Sequence, residues 1–283
     1  MKLGLVLEGG ASRTVFSCGV LDVLLEEKIT ADYLIGVSAG IAYGISYASG
    51  QIGRNLELNR RFLPDKRYMG LRHLFKPSNK SYYNLQFVFD DIPNHYLPFD
   101  YQAFADYPGK VVGVVTNIKT GLPEYLEVPR NDKQFMVLRA SCSLPFIFKP
   151  VEINGNLYMD GGLSDSIPYQ QAFKAGCDKV IVVLTRERTY RKAPDATISL
   201  AEKVYKHYPN LVRDLSTRHE AYNACIDALA ALEKENKVFI IAPDNTHGIK
   251  RTENNPQILV DFYQEGYNKA KDLLPALYAY LKQ

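Results

Sequence analysis

Two strand–turn–helix patterns within the first 50 residues restrict the fold of this chain more than any other part of its sequence. Residues 2–8 are an apolar run that ends at glycines, and apolar residues follow at helical spacing over 15–28. A second apolar run, residues 33–35, leads into Gly36 and an Ala/Ile/Tyr-rich helix from about Ala39. Because βα units of this kind pack side by side, the sequence predicts an α/β fold with a mainly parallel sheet flanked by helices.

Later apolar segments predict further strands of the same sheet. Their Val/Ile richness without alternation is typical of strands that are covered on both faces, and they lie at residues 111–116, 179–184 and 238–241. Asn154-Gly155 predicts a two-residue hairpin between two short strands, 151–153 and 156–159. The tail from Gln257 has the apolar spacing of an amphipathic helix, which Pro275 should kink or restart.

The domain organisation follows from a change of pattern after residue 60. Residues 60–100 combine several prolines with many aromatic residues and have no clear period. They predict an irregular cap or lid over the sheet, and a plain surface excursion is the alternative. We expect residues 1–170 to form the core and residues 171–283 to continue the same domain with further strands and a helical C-terminal region.

Composition excludes several classes of protein. The chain has 283 residues, of which 46% are hydrophobic and 23% charged, so it is not a disordered chain. A net charge of +3 is too small to indicate a nucleic-acid partner. The four cysteines include no CxxC pair, which favours reduced thiols in a cytoplasmic protein. Residues 3–7 are too short for a signal peptide, and the uncharged stretch 33–53 is too rich in glycine and serine for a membrane span.

The strongest chemical signal is the pentapeptide Gly36-Val37-Ser38-Ala39-Gly40, a G-x-S-x-G motif. Small residues on both sides allow a sharp strand-to-helix turn that exposes Ser38 at the carboxyl end of the strand. The N–H groups at the start of the next helix would then face the serine oxygen. A chance glycine turn is the alternative, but the position between a predicted strand and a helix favours a nucleophile.

Two further turns carry candidate functional residues. Glu8-Gly9-Gly10-Ala11-Ser12-Arg13 closes the first strand, and successive N–H groups in such a turn can bind an anion. The nucleotide-binding patterns G-x-G-x-x-G and G-x-x-x-x-G-K-[ST] are absent from the sequence. Asp160-Gly161-Gly162 follows the predicted hairpin, and on its own it also fits a simple Asp-Gly turn.

These three elements, in this order and spacing, resemble the patatin-like phospholipase family. Its members carry a glycine-rich oxyanion loop near the N-terminus, then a G-x-S-x-G turn, and later a D-G-[GA] aspartate. The segment Ala140-Ser141-Cys142-Ser143-Leu144-Pro145-Phe146 also resembles the small-residue segment that precedes the family's aspartate. The resemblance covers roughly residues 1–170.

The resemblance implies a serine acyl hydrolase acting on phospholipids or lysophospholipids. It makes Ser38 the nucleophile and Asp160 the residue that activates it, a dyad without histidine. The N–H groups of Gly9, Gly10 and Ala11 would hold the oxyanion, and no metal or organic cofactor is implied. A free aspartate has a pKa near 3.9, so Asp160 can act as a base only if burial raises its pKa.

Three positions in the first turn leave alternatives open. Arg13 matches an arginine of the family, which would brace the loop or meet phosphate, and a salt bridge to a nearby carboxylate is the bland alternative. The family usually has glycine where Ala11 and Thr14 stand. If residue 11 needs a positive φ, alanine costs on the order of 1–2 kcal/mol there. A noncatalytic lipid-binding or regulatory protein on the same scaffold is therefore a second hypothesis.

Two other groups of residues could contribute. His247 would complete a conventional Ser-Asp-His order with Ser38 and Asp160, although it reads as an exposed loop residue. Basic residues with interleaved aromatics could give peripheral contact with an anionic membrane, or simply form a solvated loop. They are Arg60, Arg61, Lys66, Arg67, Arg72, Lys76 and Lys80.

Overall fold

The computed structural model of the protein describes residues 1–76, 79 and 81–282, and it contains one mixed eight-stranded sheet with helices on both faces. The strands are β1 (Leu3–Leu7), β2 (Tyr33–Val37), β3 (Lys110–Asn117), β4 (Pro123–Glu127), β5 (Val151–Ile153), β6 (Asn156–Asp160), β7 (Lys179–Val183) and β8 (Val238–Ile241). The α-helices are α1 (Val15–Glu26), α2 (Ala39–Ala48), α3 (Arg54–Phe62), α4 (Tyr101–Asp106), α5 (Met136–Ser141), α6 (Tyr169–Lys174), α7 (Ile198–Val204), α8 (Pro209–Lys234) and α9 (Pro256–Leu281).

The strand order confirms the predicted α/β fold. Strands run β5-β6-β3-β2-β1-β7-β8 across the sheet, and β4 pairs with β3. The four pairings among β3, β2, β1, β7 and β8 are parallel, whereas β4, β5 and β6 join in antiparallel fashion. The hairpin between β5 and β6 turns at Asn154 and Gly155, both with positive φ, as the Asn-Gly signal predicts. Strand β4 has no counterpart in the sequence-based prediction.

The central strands are buried on both faces, which explains their lack of alternation. In β1, Leu5 and Leu7 belong to a core with α1, α2 and α9, whereas Val6 belongs to a second core with α6 and α8. Because successive side chains of a strand point to opposite faces, both faces of β1 must be covered by helices.

One edge of β3 is shared end to end by two strands. Val114 pairs with Val37 of β2, and Val115, the next residue, pairs with Asp160 of β6. Strand β4 covers the opposite edge at both positions. Since β6 occupies the edge where β2 stops, the end of β6 meets Ser38, the first residue after β2.

Two long helices dominate the C-terminal region, and the second of them contains a proline. Helix α9 continues through Pro275 to residue 281, so the proline does not restart it. Helix α9 lies so close to α1 that a β-carbon on Gly266 would collide with the Phe16 carbonyl. Beyond the proline, the Tyr278 hydroxyl donates to Glu27, the residue after α1, at 2.7 Å, so contacts between the two helices continue past Pro275.

Residues 60–100 are largely irregular, as predicted. They contain the end of α3, a short 3-10 helix at Leu71–His73 and a π-helix at Phe87–Tyr96 with Pro93 inside it. Pro77 and Lys80, two residues of the predicted cap, lie outside the described residues. Within the ranges given above, no helix is long and apolar enough to cross a bilayer.

Candidate active site

Ser38 lies in a strained turn between β2 and α2. Its backbone angles, φ 53° and ψ −129°, fall in a region that side-chain-bearing residues seldom adopt. The turn is tight because a β-carbon at Gly40 would lie 2.6 Å from the Leu7 carbonyl oxygen. A β-carbon at Gly36 would lie 2.7 Å from the Ile41 nitrogen. The G-x-S-x-G spacing thus allows the chain to hold Ser38 at the carboxyl end of the sheet.

The glycine-rich turn after β1 packs directly against Ser38. A β-carbon on Gly9 would lie 2.9 Å from that of Ser38, so only glycine permits this approach. The N–H groups of Gly9, Gly10 and Ala11 donate to no group in the described part of the chain. Ala11 has a φ of 51°, so this residue does adopt the positive φ at which alanine is strained. Three unpaired donors therefore lie in a loop that touches the serine.

The segment 140–146 ties the serine turn to β6. The Ser141 hydroxyl accepts a hydrogen bond from the Ser38 N–H at 2.8 Å. Two residues later, the Ser143 carbonyl accepts from the Asp160 N–H at 2.9 Å. This short segment thereby fixes both Ser38 and Asp160 by their backbones.

Asp160 is buried beside Ser38 with half of its carboxylate unsatisfied. Oδ1 accepts from the Gly162 N–H at 2.8 Å, whereas Oδ2 is buried and has no hydrogen-bond partner among the described residues. Burial raises the pKa of Asp160, and the Arg218 charge and the nearby Ser38 hydroxyl partly oppose that rise. Asp160 is thus a stronger base than a free aspartate, which is the condition that the sequence analysis set for a base at this position.

Arg13 is buried in the short 3-10 helix, residues 11–14, that follows the two glycines. Its Nη1 donates to the Ile249 carbonyl at 3.4 Å, and its Nε has no partner among the described residues. Burial lowers the pKa of Arg13 to about 10. No carboxylate of the described chain lies within ion-pair distance, so a salt bridge does not account for this residue.

An apolar cavity of about 120 Å³ opens from Ser38 toward the cap. Its walls come from α2, from α3, from residues between Leu63 and Phe99 and from the segment 135–148, and they include Ala42, Leu58, Tyr68, Val88, Phe89 and Phe148. The segment predicted as a cap therefore lines the space next to the serine.

A second, polar cavity lies on the other side of the serine. It shares Ala11, Ser38 and Leu144 with the apolar cavity, and Asp160 also lines it. The rest of its lining includes five cationic side chains, Arg13, Arg186, Lys192, Arg218 and Arg251. Ser38 thus lies at the border between an apolar space and a cationic one.

The family of the chain can be stated from its first two thirds. Residues 5–173 match the family model described as patatin-like phospholipase, which is more than half of the chain. The chain belongs to the patatin-like phospholipase family. Residues 208–282 match a second model, described as a domain of unknown function (DUF6363).

Several known proteins are similar to this family member. YjjU, an uncharacterized protein of Escherichia coli (strain K12), is 23% identical over 228 residues, which are 76% of this chain and 63% of that protein. Lysophospholipase NTE1 of Cryptococcus neoformans is 30% identical over 198 residues, 64% of this chain and 11% of that protein. Lysophospholipase NTE1 of Scheffersomyces stipitis is 24% identical over 256 residues, 85% of this chain and 16% of that protein. The chain thus spans less than two thirds of these curated relatives.

One solved structure is also similar. VipD from Legionella pneumophila gives a TM-score of 0.47 at 14% identity, over 97% of this chain and 67% of that chain.

His247, the histidine considered for a triad, lies away from the two cavities. Its Nε2 is 3.0 Å from Glu265, and its side chain is 54% exposed. It lines neither of the two cavities that border Ser38. The structure therefore brings Asp160, and not His247, next to Ser38.

The sequence analysis missed four basic residues of the polar cavity: Arg186, Lys192, Arg218 and Arg251. Arg186 follows β7, at the carboxyl end of a parallel strand where functional residues of α/β proteins collect. Position after a strand is the only signal that could have found it. Arg218 and Arg251 lie on α8 and on the loop before α9, and no local pattern distinguishes them from solvated arginines.

The positive φ of Ala11 leads to a prediction about the free energy of unfolding. Because Ala11 adopts φ 51°, Ala11→Gly should relieve backbone strain and raise the free energy of unfolding by about 1 kcal/mol. Ala221→Gly, at an exposed position inside α8, should lower it by about the same amount. Denaturant unfolding of both variants measures the two signs. A loss of stability in Ala11→Gly equal to that in Ala221→Gly would contradict the strain.

Proposed function

We propose that this protein is a serine acyl hydrolase that cleaves ester-linked fatty acyl chains of phospholipids or lysophospholipids. The observation that carries the proposal is the position of Ser38 in a strained turn, between unpaired N–H donors, a buried carboxylate and an apolar cavity. Membership of the family and the similarity to proteins named lysophospholipase support a lipid hydrolase in general.

The proposed reaction proceeds in two steps. The Ser38 hydroxyl oxygen attacks the ester carbonyl carbon while Oδ2 of Asp160 takes the hydroxyl proton. The N–H groups of Gly9, Gly10 and Ala11 stabilise the negative charge that develops on the carbonyl oxygen. The protonated Asp160 then gives its proton to the departing alkoxide. In the second step a water molecule gives a proton to Asp160 and attacks the acyl-serine carbonyl; the bond to the Ser38 oxygen breaks, Asp160 returns the proton to that oxygen, and the fatty acid is released.

The apolar cavity is the proposed site of the acyl chain. It begins at Ser38 and is lined by aliphatic and aromatic side chains of α2 and the cap. Burying a methylene group in such a space contributes about 0.8 kcal/mol. Longer acyl chains should therefore bind more tightly, up to the length that the cavity holds.

The tip of the cap is the proposed point of contact with an anionic membrane. Leu71 and Phe75 are 68% and 83% exposed, and Arg72 and Lys76 are exposed beside them. Exposed apolar side chains flanked by cations are typical of surfaces that lie in the membrane interface. Arg67 is less suitable, because it pairs with Asp65 at 2.8 Å and stacks on Phe87 and Tyr96.

The second candidate is a noncatalytic lipid-binding protein with the same cavity. The departures at Ala11 and Thr14 favour it, since Ala11 holds its φ under strain and the buried Thr14 hydroxyl has no partner in the described part of the chain. Both hypotheses predict lipid binding, and only the hydrolase predicts product.

Release of fatty acid tests the proposal directly. Wild-type protein should release fatty acid from a long-chain lysophospholipid or phospholipid, in anionic or zwitterionic vesicles, faster than it releases acetate from a short ester; mass spectrometry measures both products. Ala42→Phe, which narrows the apolar cavity, should reduce the long-chain rate more than the short-chain rate. Lipid binding without release of any acid by a folded protein would favour the noncatalytic alternative.

A further inference from the structure

The polar cavity beside Ser38 holds more positive than negative side chains. Arg13, Arg186, Lys192, Arg218 and Arg251 line it, and the carboxylates on its walls are Glu8 and Asp160. Glu8 is already satisfied, because it accepts hydrogen bonds from the Thr185 N–H at 2.6 Å and the Tyr222 hydroxyl at 2.9 Å. Cations gathered in one cavity without matching carboxylates favour an anionic ligand.

Two of the guanidinium groups, those of Arg13 and Arg218, have a buried Nε that nothing in the described chain satisfies. The Nε of Arg218 is buried and has no hydrogen-bond partner there. Its Nη2 lies 3.0 Å from the point where Gly162 would carry a β-carbon, so it faces the turn that contains Asp160. Arg251 is exposed at the mouth of the cavity, and its side chain forms no hydrogen bond or ion pair with a described residue. The buried, unpaired Nε donors of Arg13 and Arg218 are costly and indicate a missing acceptor.

Arg186 and Lys192 are held by aromatic rings rather than by carboxylates. Arg186 stacks on Tyr190 at 4.4 Å and donates to the Thr246 hydroxyl at 3.2 Å. The Nζ of Lys192 lies 4.3 Å from the centre of the Tyr222 ring. Burial, with Arg218 and Arg251 nearby, lowers the pKa of Lys192 to about 7. A bound anion would restore the charge of this lysine.

The position of these cations relative to Ser38 selects the part of a substrate that meets them. The two cavities share Ser38, so an ester at the serine has its acyl chain in the apolar cavity and its alcohol part in the polar one. In a lysophospholipid the alcohol part is a glycerol that carries phosphate, only a few bonds from the scissile ester. Arginine is suited to phosphate because its planar fork can donate two parallel hydrogen bonds.

We propose that Arg186, Lys192, Arg218 and Arg251, here called the cation cluster, bind the phosphate of the lipid head group and favour lipids in which that phosphate is a terminal monoester. The cluster lies entirely beyond residue 173, outside the part of the chain that matches the patatin-like model. The proposal rests on the hydrolase function, and it assigns to the C-terminal region a role in the choice of head group. A terminal phosphate carries more negative charge than a phosphodiester, which suits an excess of cations.

The test compares two lysolipids with the same acyl chain, lysophosphatidic acid and monoacylglycerol. Wild-type protein should prefer the phosphate-bearing lipid in kcat/KM. In Arg251→Gln and Arg186→Gln the ratio of the two kcat/KM values should fall on the order of tenfold, the usual effect of losing a charge-assisted hydrogen bond. Arg191→Gln is the matched control, because Arg191 lies on the same loop as Arg186 but pairs with Asp227 at the surface. An unchanged ratio in both cluster variants would overturn the proposal.

Calorimetric titration with glycerol 3-phosphate and with inorganic phosphate separates this proposal from the hydrolase function. Binding of glycerol 3-phosphate that weakens in Arg251→Gln but not in Arg191→Gln supports the cluster even if no ester is cleaved. Cleavage of both lipids without any binding of glycerol 3-phosphate would refute the cluster and leave the hydrolase intact. Equally tight binding of inorganic phosphate would identify a free-phosphate site and overturn the assignment to a head group.

Discussion

Ser38→Ala is expected to abolish both fatty acid release and covalent labelling by a fluorophosphonate. The probe forms a bond only with an activated serine oxygen, and Ser38 is the serine that borders both cavities beside unpaired N–H donors. Removing a nucleophile of this kind lowers kcat on the order of 10⁴-fold or more. Intact mass measures the adduct, which should appear once on the wild type and be absent from Ser38→Ala.

Ser166→Ala is the matched control for this labelling. The Ser166 hydroxyl also lies in the polar cavity, where it donates to the Gly162 carbonyl at 2.9 Å, and Ser166→Ala should keep the adduct. An adduct that persists in Ser38→Ala would place the reactive group elsewhere. A folded wild type that forms no adduct would instead favour the noncatalytic, lipid-binding hypothesis.

Asp160→Asn is expected to reduce kcat on the order of 10³-fold or more while the fold is retained. Asparagine has nearly the same shape and can still accept the Gly162 N–H, but it cannot take the proton of Ser38. Because burial raises the pKa of Asp160, a neutral side chain is well tolerated at this position. Steady-state hydrolysis measures the loss, and thermal unfolding checks the fold. His247→Ala, which alters a surface pair with Glu265, should keep the wild-type rate.

The dependence of the rate on pH follows from the same shift. Asp160 acts only when deprotonated, and its pKa is raised, so kcat/KM should fall as the pH drops through a value above the usual 3.9 of aspartate. This acid limb should disappear from the residual activity of Asp160→Asn. A limb that persists there, together with loss of activity in His247→Ala, would favour the conventional triad.

The parts of the site that could be predicted from the sequence are the local ones. The turn at Ser38 and the hairpin at Asn154-Gly155 depend on residues that are neighbours in the chain, and glycine reports the tight approach or positive φ directly. The burial of Asp160 could not be read in this way. It arises because β6 pairs with the far end of β3, a contact between residues more than forty positions apart.

The cation cluster and helix α9 show why other features of the molecule could not be predicted from the sequence. Arg186, Arg218 and Arg251 come from three separate elements, and the sheet and its helices alone bring them together. Helix α9 runs through Pro275 because its packing against α1 outweighs the local preference of proline. In each case contacts between distant parts of the chain determine the structure, and no local sequence pattern indicates them.

The end-to-end placement of β2 and β6 on one edge of β3 also determines which changes of length this site can accept. Val37, the residue before Ser38, and Asp160 pair with the consecutive residues Val114 and Val115, so the register of the two strands on β3 sets the spacing of Ser38 and Asp160. Extra residues at the tip of the β5–β6 hairpin leave that pairing as it is. One extra residue inside β6 would turn Asp160 to the opposite face of the sheet, away from the serine. The hairpin tip is therefore free to vary in length, whereas the five residues that follow it are not.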